Sequence, residues 1–426
     1  MDEPDFDHYL AHLAPVLAHA DRVNGLKDYC TGLMLPLQRK SVEPLAAHLD
    51  PLHVSAKHQD MMHFVGQSDW PDEAMLDQVL DWVQPLMERD APEWFWVVDD
   101  TGMPKKGKHS VGVARQYCGQ VGKQDNCQVA VSLSLATKAA SVPIAWGLYL
   151  PQEWCDDAKR CRAAGVPESV AFATKPALAL QQIWAARTAG VPAGVVLADA
   201  AYGNQCAFRE ALEAMELRYA VGIGPATSVW APGTAPLPPR PYGGRGIRPT
   251  ALQRGPGHEP VSAKDLALGL KPKAWHTVTW REGTNTMLSS RFARLRVRPA
   301  HRDYYRSQLR AEVWLLIEWP KGEDEPAKYW LSNLPPDTSM EELVATAKMR
   351  WRIERDYQEL KQEFGLGHYE GRGWRGFHHH ATLCIAAYGF LLGQRLRQKK
   401  ALQRPVPALP EGYRPRGAGA RATACA

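Results

Sequence analysis

The 426-residue sequence has no long apolar run, no C-x-x-C pair, no basic leader and little net charge, and each lack removes a class of function. No stretch approaches the roughly 18–20 uninterrupted apolar residues that a bilayer-spanning helix requires. Met1–Ala14 opens on acids where a secretory leader would carry bases. The chain is therefore expected in the cytoplasm, with no membrane partner. Its eight cysteines, at 30, 118, 127, 155, 161, 206, 384 and 425, are too scattered for a zinc ribbon, a dithiol redox motif or a secreted disulfide framework. They read as reduced thiols. A formal charge of +5 is too small to prove a polyanionic partner.

What is present is enough apolar material for large cores: 45% hydrophobic residues over this length exclude global disorder and suit two or three domains. The charge is also uneven. From Gly371 onward Arg372, Arg375, Arg395, Arg397, Lys399, Lys400, Arg404, Arg414, Arg416 and Arg421 face the single acid Glu411. That end suits a phosphate backbone, or is a solvated tail.

Apolar periodicity divides the chain. Asp7 to about Arg89 reads as helical, broken at Pro36, Pro44, Pro51 and Pro71. Short apolar runs at Phe95–Val98, Gln128–Leu135 and Pro143–Leu150 then predict a three-stranded meander. A helix at Pro176–Thr188, a strand at Ala193–Ala198, a helix at Gln205–Met215 and a strand at Tyr219–Ile223 follow. This order predicts an α/β core, a mixed sheet flanked by helices. Gly224–Pro260 is too rich in Pro and Gly for long regular structure. Strands resume at Phe292–Val297, Val313–Trp319 and Lys328–Ser332, giving a β-rich insertion on which Arg294, Arg296 and Arg298 alternate onto one side. That row either faces nucleic acid or guards an edge strand. A long helix is expected from about Met340 to Phe364, ending at Gly365, and another at His378–Arg397.

Two acids sit where apolar strands end. Phe95–Val98 runs into Asp99-Asp100-Thr101, and Val195–Ala198 runs into Asp199-Ala200-Ala201-Tyr202-Gly203. Groups beyond the carboxyl ends of neighbouring parallel strands face one crevice, where two carboxylates can share a hard cation such as Mg²⁺. Each Asp alone is as readily a turn or a helix cap. Further on, Arg350, Glu354 and Lys361 are four and seven residues apart. At about 100° per residue they share one helix face, placing a carboxylate between two cations that can grip phosphates. An ordinary helix neutralises a Glu in the same way.

Other motifs compete. Gly102–Lys108 satisfies G-x4-G-K, but His109 stands where a phosphate-binding loop needs Ser or Thr, and no helix pattern follows. Lys105, Lys106 and Lys108 are then a basic lip able to touch phosphates, or a solvated turn. His378-His379-His380 lacks ligand-spaced partners and reads as helix packing or a DNA-facing surface. Trp351 is either a stacking platform for a base or a core residue. Tyr202 and Gly203 shape the turn after Asp199.

Together these residues resemble the DDE transposases of bacterial insertion sequences, in the branch with a Tyr-x2-Arg-x3-Glu-x6-Lys signature. Arg350, Glu354 and Lys361 hold three of its four positions, and Ala347 stands at the Tyr position. Asp99-Asp100-Thr101, Leu197-Ala198-Asp199-Ala200-Ala201-Tyr202-Gly203, Pro104–Lys108, Gln116-Tyr117, Gly365-Leu366 and the triple histidine extend the resemblance over nearly the whole chain. It implies an RNase H-like core in which Asp99, Asp199 and Glu354 ligate two Mg²⁺ or Mn²⁺ ions, with Asp100 an alternative to Asp99. It implies that Arg350 and Lys361 grip phosphates, with Tyr357 standing in for the absent Tyr. It further implies double-stranded DNA as partner, both element ends and target, bound by a homodimer near the bacterial nucleoid. Residues 1–90 would be the helical DNA-binding domain, 91–223 and 336–400 the two parts of the catalytic core, 224–335 the insertion and 401–426 a basic tail. A retired DNA-binding derivative and a nuclease of the same fold remain alternatives.

Overall fold

The structure, a computed structural model, describes residues 3–88, 93–282 and 287–403. The junction near residue 90 and most of the basic tail, with Arg404, Arg414, Arg416, Arg421 and Cys425, lie outside the described residues.

Five helices open the chain: α1 (Glu3–Leu13), α2 (Asp21–Met34), α3 (Val42–Leu49), α4 (Val54–Gly66) and α5 (Asp72–Met87). Pro71 fixes the N-cap of α5 and Pro36 and Pro51 follow the ends of α2 and α3, since proline cannot donate inside a helix. Next come β1 (Phe95–Pro104), β2 (Ala114–Cys118), β3 (Lys123–Ala136) and β4 (Ser141–Tyr149). The short helices α6 (Gln152–Cys155) and α7 (Ala158–Ala163) lead to α8 (Lys175–Thr188), β5 (Val195–Ala198), α9 (Ala200–Gly203), α10 (Cys206–Ala214) and β6 (Tyr219–Ile223).

β4, β3 and β1 are antiparallel neighbours, and β5 and β6 continue from β1 in parallel. The order β4-β3-β1-β5-β6 is that of an RNase H-like sheet, as the resemblance implies. β1 and β5 are apolar throughout their paired stretch and buried on both faces, as parallel strands covered by helices must be.

The strands of the insertion do not stand apart. β7 (Ser228–Trp230), β8 (Val261–Ser262), β9 (His276–Glu282), β10 (Met287–Pro299), β11 (Val313–Trp319) and β12 (Lys328–Ser332) extend the same sheet, because β12 pairs antiparallel with β6. α11 (Ala263–Leu268) and β7 to β9 lie where the sequence pattern predicts no element. Neither expected role suits the arginine row. The guanidinium groups of Arg294 and Arg296 lie 4.7 and 4.9 Å from the Trp314 ring centre, and each donates to a backbone carbonyl, of Thr338 and Glu312. Arg298 donates to the Arg310 carbonyl at 2.6 Å and to Glu312 at 3.2 Å. Trp314 is directly opposite Arg296 in the ladder, so the row is packed on its neighbour strand.

The helix expected at Met340–Phe364 is two: α12 (Met340–Lys348) and α13 (Trp351–Gln362). No Pro or Gly separates them; the join is tightened by three-residue hydrogen bonds, Met349 to Thr346, Arg352 to Met349 and Ile353 to Arg350. The two halves bury into different cores. Met340, Leu343, Val344 and Ala347 pack with Phe292, Trp314, Leu316 and Trp330. Ile353, Tyr357 and Leu360 join the main core. One straight rod cannot serve both. α14 (Trp374–Gln403) closes the fold, and its buried face meets α5, α2 and α4. Tyr9 donates to the Ala386 carbonyl at 2.8 Å, and one core runs from α1 through α14 to the sheet.

Candidate active site

Consecutive residues in a strand point to opposite faces, which separates Asp99 from Asp100. Asp99 faces α13: its Oδ2 is 2.7 Å from Arg350 Nη1 and its Oδ1 accepts from the Asp100 amide at 2.9 Å. Asp100 faces α8, with Lys175 Nζ 2.7 Å away and the Tyr202 hydroxyl donating at 3.4 Å. Both aspartates are thus ion-paired, Asp100 to a lysine on the α8 side and Asp99 to the arginine that also holds Glu354. No spacing relation ties Lys175 to residue 100, so the sequence carried no signal for this partner.

Asp199 caps α9, accepting from the Ala201 amide at 2.8 Å. The turn lies flat on β6 because Gly203 has no side chain: a Cβ there would sit 1.9 Å from the Gly222 carbonyl oxygen. Parallel pairing of β1 and β5 then brings Asp199 beside Asp99, whose pKa its charge helps to raise.

Glu354 reaches this pair through Arg350. Arg350 stands at the N-cap of α13, and its Nη2 is 2.5 Å from Glu354 Oε1, one helical turn on, while Nη1 holds Asp99. Burial lowers the guanidinium pKa, but Asp99, Glu354 and Asp199 outweigh it and the net shift is upward. One cation therefore bridges two of the predicted acids and feels the charge of the third. Glu354 keeps a side chain 58% exposed; Asp99 is deep. Burial pushes the Asp99 carboxyl up to about 7 against the pull of Arg350, and the nearby charges of Asp199 and Asp100 push the same way.

Lys361 donates to the Gly102 carbonyl at 3.1 Å, with burial lowering its pKa. Arg350, Glu354 and Lys361 thus face β1 from one side of α13. Tyr357 is buried: its hydroxyl pairs with Ser132 Oγ at 2.8 Å, beneath Asp99. Ala347, at the signature's Tyr position, packs into the insertion core. Trp351 is half-buried under the Arg352 guanidinium, 4.4 Å from its ring centre. Lys105 donates to the Tyr369 carbonyl at 2.6 Å, and burial lowers its pKa to about 8. Lys106 and Lys108 are exposed. The loop holding them runs on into β2 and not into a helix, so it lacks the architecture of a nucleotide-binding loop.

The triple histidine is internal. His380 Nδ1 lies 2.9 Å from the Tyr29 hydroxyl and its Nε2 3.1 Å from the Gly365 carbonyl. His379 stacks on Trp70 with 3.5 Å between ring centres. Among the described residues no three carboxylate, imidazole or thiol groups gather as a metal cluster. The donor chemistry nonetheless fits a hard divalent ion: Asp99 and Asp199 are adjoining hard oxygen donors, and burial penalises the charged Asp99 carboxylate in a way that a bound cation would relieve.

Comparison with known proteins points to the family that the sequence resembles. The family model described as DDE superfamily endonuclease matches residues 12–287, a stretch that includes Asp99 and Asp199. A probable transposase for insertion sequence element IS701, from Microchaete diplosiphon, is 28% identical over 195 residues. That match covers 45% of this chain and 46% of the relative, so the chain spans about half of that protein's length. With two thirds of its residues under one family model and the strand order and carboxylates described above, the chain belongs to the DDE superfamily of endonucleases.

Proposed function

We propose that the chain is a DNA transposase: it binds the terminal repeats of an insertion sequence, hydrolyses a phosphodiester and transfers the freed 3′-OH to target DNA. The observation that carries this reading is the convergence of Asp99 and Glu354, from opposite ends of the core, on the two arms of Arg350, with Asp199 beside them. Asp99, Asp199 and Glu354 would hold the divalent ions, which supply activation of a hydroxyl nucleophile and stabilisation of the leaving oxygen.

The remaining chemistry belongs to the chain. Ser132 and Tyr357 support β1 from beneath, fixing the Asp99 backbone between β3 and α13. Lys175 and Tyr202 hold Asp100 on the far face, so that one carboxylate per strand end serves the site. Arg350 is placed to exchange a carboxylate partner for a phosphate, being planar, permanently charged and able to bind either with two N–H groups. Exposed Lys106 and Lys108 extend the positive lip along which a backbone can lie. A homodimer pairing two element ends belongs to the same reading.

The test is purified protein with Mn²⁺ or Mg²⁺ and a labelled duplex carrying the element's terminal repeats, wild type beside Asp199→Asn and Glu354→Gln. Cleavage and joined product are expected from wild type. Each variant should lose more than about 100-fold in cleavage, the upper loss seen for residues that only support a metal ligand, while still binding the duplex. Cleavage without joining would make the chain a nuclease of the same fold; binding without cleavage would make it a retired derivative.

A further inference from the structure

The insertion carries a surface that the fold does not use. Arg240-Pro241-Tyr242-Gly243-Gly244-Arg245-Gly246-Ile247-Arg248 is exposed throughout, with Gly244 and Gly246 left-handed at φ +81° and +77° on either side of Arg245. Ile247 is 97% exposed. Beside this segment, the Leu252 amide donates to the Arg306 carbonyl at 2.8 Å, joining it to a second loop that displays Arg302, Tyr304 and Tyr305. The two tyrosine rings lie 4.5 Å apart, and Tyr305 is 75% exposed. Arg302 itself is left-handed at φ +49°, a conformation that costs a non-glycine residue energy and collects at binding sites.

The base under this display is rigid. Asp303 is buried, accepts from Trp230 Nε1 at 2.6 Å and pairs with Arg254 at 2.7 Å. Glu210 of α10 takes Arg306 at 2.6 Å and Arg310 at 2.9 Å. Asp303 and Glu210 are thereby matched, and among the described residues Arg245, Arg248 and Arg302 make no ion pair with a carboxylate. The second loop is anchored to the main fold through Glu210, on α10, the helix that follows the Asp199 turn.

We infer that this surface is a second DNA contact, specific for unpaired strand. Arginines alone would suit any phosphate backbone. The exposed tyrosine pair narrows the class, because a base offers its π-face only when it is unstacked, and single-strand binders combine a basic track with aromatic platforms. The inference rests on the DNA reading above, although its test does not require cleavage.

Full-length protein in EDTA is titrated into a labelled 20-nucleotide single strand and, separately, a blunt duplex of the same sequence, followed by fluorescence anisotropy at several salt concentrations. Arg245→Ala/Arg248→Ala/Arg302→Ala should weaken single-strand binding at least about tenfold and lower the slope of log affinity against log salt by up to about 2. Tyr304→Ala/Tyr305→Ala should weaken single-strand binding about tenfold and leave the duplex within about twofold. The arginines and Tyr305 are on the surface, whereas the Tyr304 ring carries the Arg254 guanidinium 5.1 Å from its centre, so Tyr305→Ala alone, with a wild-type thermal midpoint, is the variant that decides should the double variant melt lower. Wild-type affinity for the single strand in either variant, or equal loss on duplex and single strand in the tyrosine variant, overturns the inference. Failure of the terminal-repeat cleavage assay would instead strike the proposed function and leave these binding ratios measurable.

Discussion

At the scale of single residues the decisive contact is Arg350. A guanidinium that spans Asp99 and Glu354 at 2.7 and 2.5 Å takes up one oxygen of each carboxylate proposed to hold a divalent ion. Arg350→Gln removes a unit charge from a buried acidic site, an effect that for a proton amounts to about 1–3 pKa units. Mn²⁺ should therefore bind the DNA-free variant at least about tenfold more tightly than wild type by calorimetry, while affinity for DNA falls. Unchanged or weaker Mn²⁺ binding would show that Arg350 does not compete for the site. The spacing Arg350–Glu354–Lys361 was legible because it depends on one helix only. That Arg350 also holds Asp99 was not, since the partner is 251 residues away in the chain.

At the scale of elements, helices here meet through small residues as well as apolar faces. Gly389 of α14 lies against α5, and a Cβ added to it would stand 2.6 Å from Val79 Cγ1. Gly389→Val should force the pair apart and destabilise the protein by about 1–3 kcal/mol, read from urea unfolding at pH 7; a neutral result would mean that the helix pair has room to shift. The break between α12 and α13 is likewise an effect of packing. Residues 340–364 contain no helix breaker and read as one continuous helix, but Ala347 and Ile353 must reach different cores. β7 and β8 escaped notice for a related reason: they are three and two residues long, and their pairing with each other, and of β7 with β10, comes from register and not from local apolar pattern.

For the whole molecule, helices α1–α5 are joined to the sheet through the buried histidines of α14. Burial drives His379 and His380 down to about 4 from an unfolded value of 6.5. Between those values the unfolded chain binds the extra protons, so the stability from each neutral histidine is full above about pH 6.5 and is lost as pH falls toward 4. The contribution is at most about 3 kcal/mol per histidine. Asp99 and Asp356, raised by burial to about 7 and 6, act in the opposite sense: their stability is greatest at low pH and declines as pH rises. The histidine part is therefore the difference between wild type and His379→Asn or His380→Asn. In urea unfolding from pH 7 to 4.5, wild type should lose more stability on acidification than either variant; parallel profiles would refute the assignment. The same burial answers the question the triple histidine raised, since packing and not ligation employs all three rings.

Local pattern alone settled the α/β class, the aspartate just past β5 and the carboxylate between two cations, because periodicity, turn chemistry and helical spacing operate within a few residues of chain; β1, by contrast, does not end at Val98 but runs on through Asp99 and Asp100 to Pro104, held by its pairing with β3. Only the tertiary structure decided which of Asp99 and Asp100 faces Glu354, that Tyr357 lies under the site, that the insertion prolongs the sheet, and that Arg350 joins acids from both halves of the core. Those outcomes depend on strand register and on which helix covers which face, and such long-range pairings leave no periodic trace in the sequence.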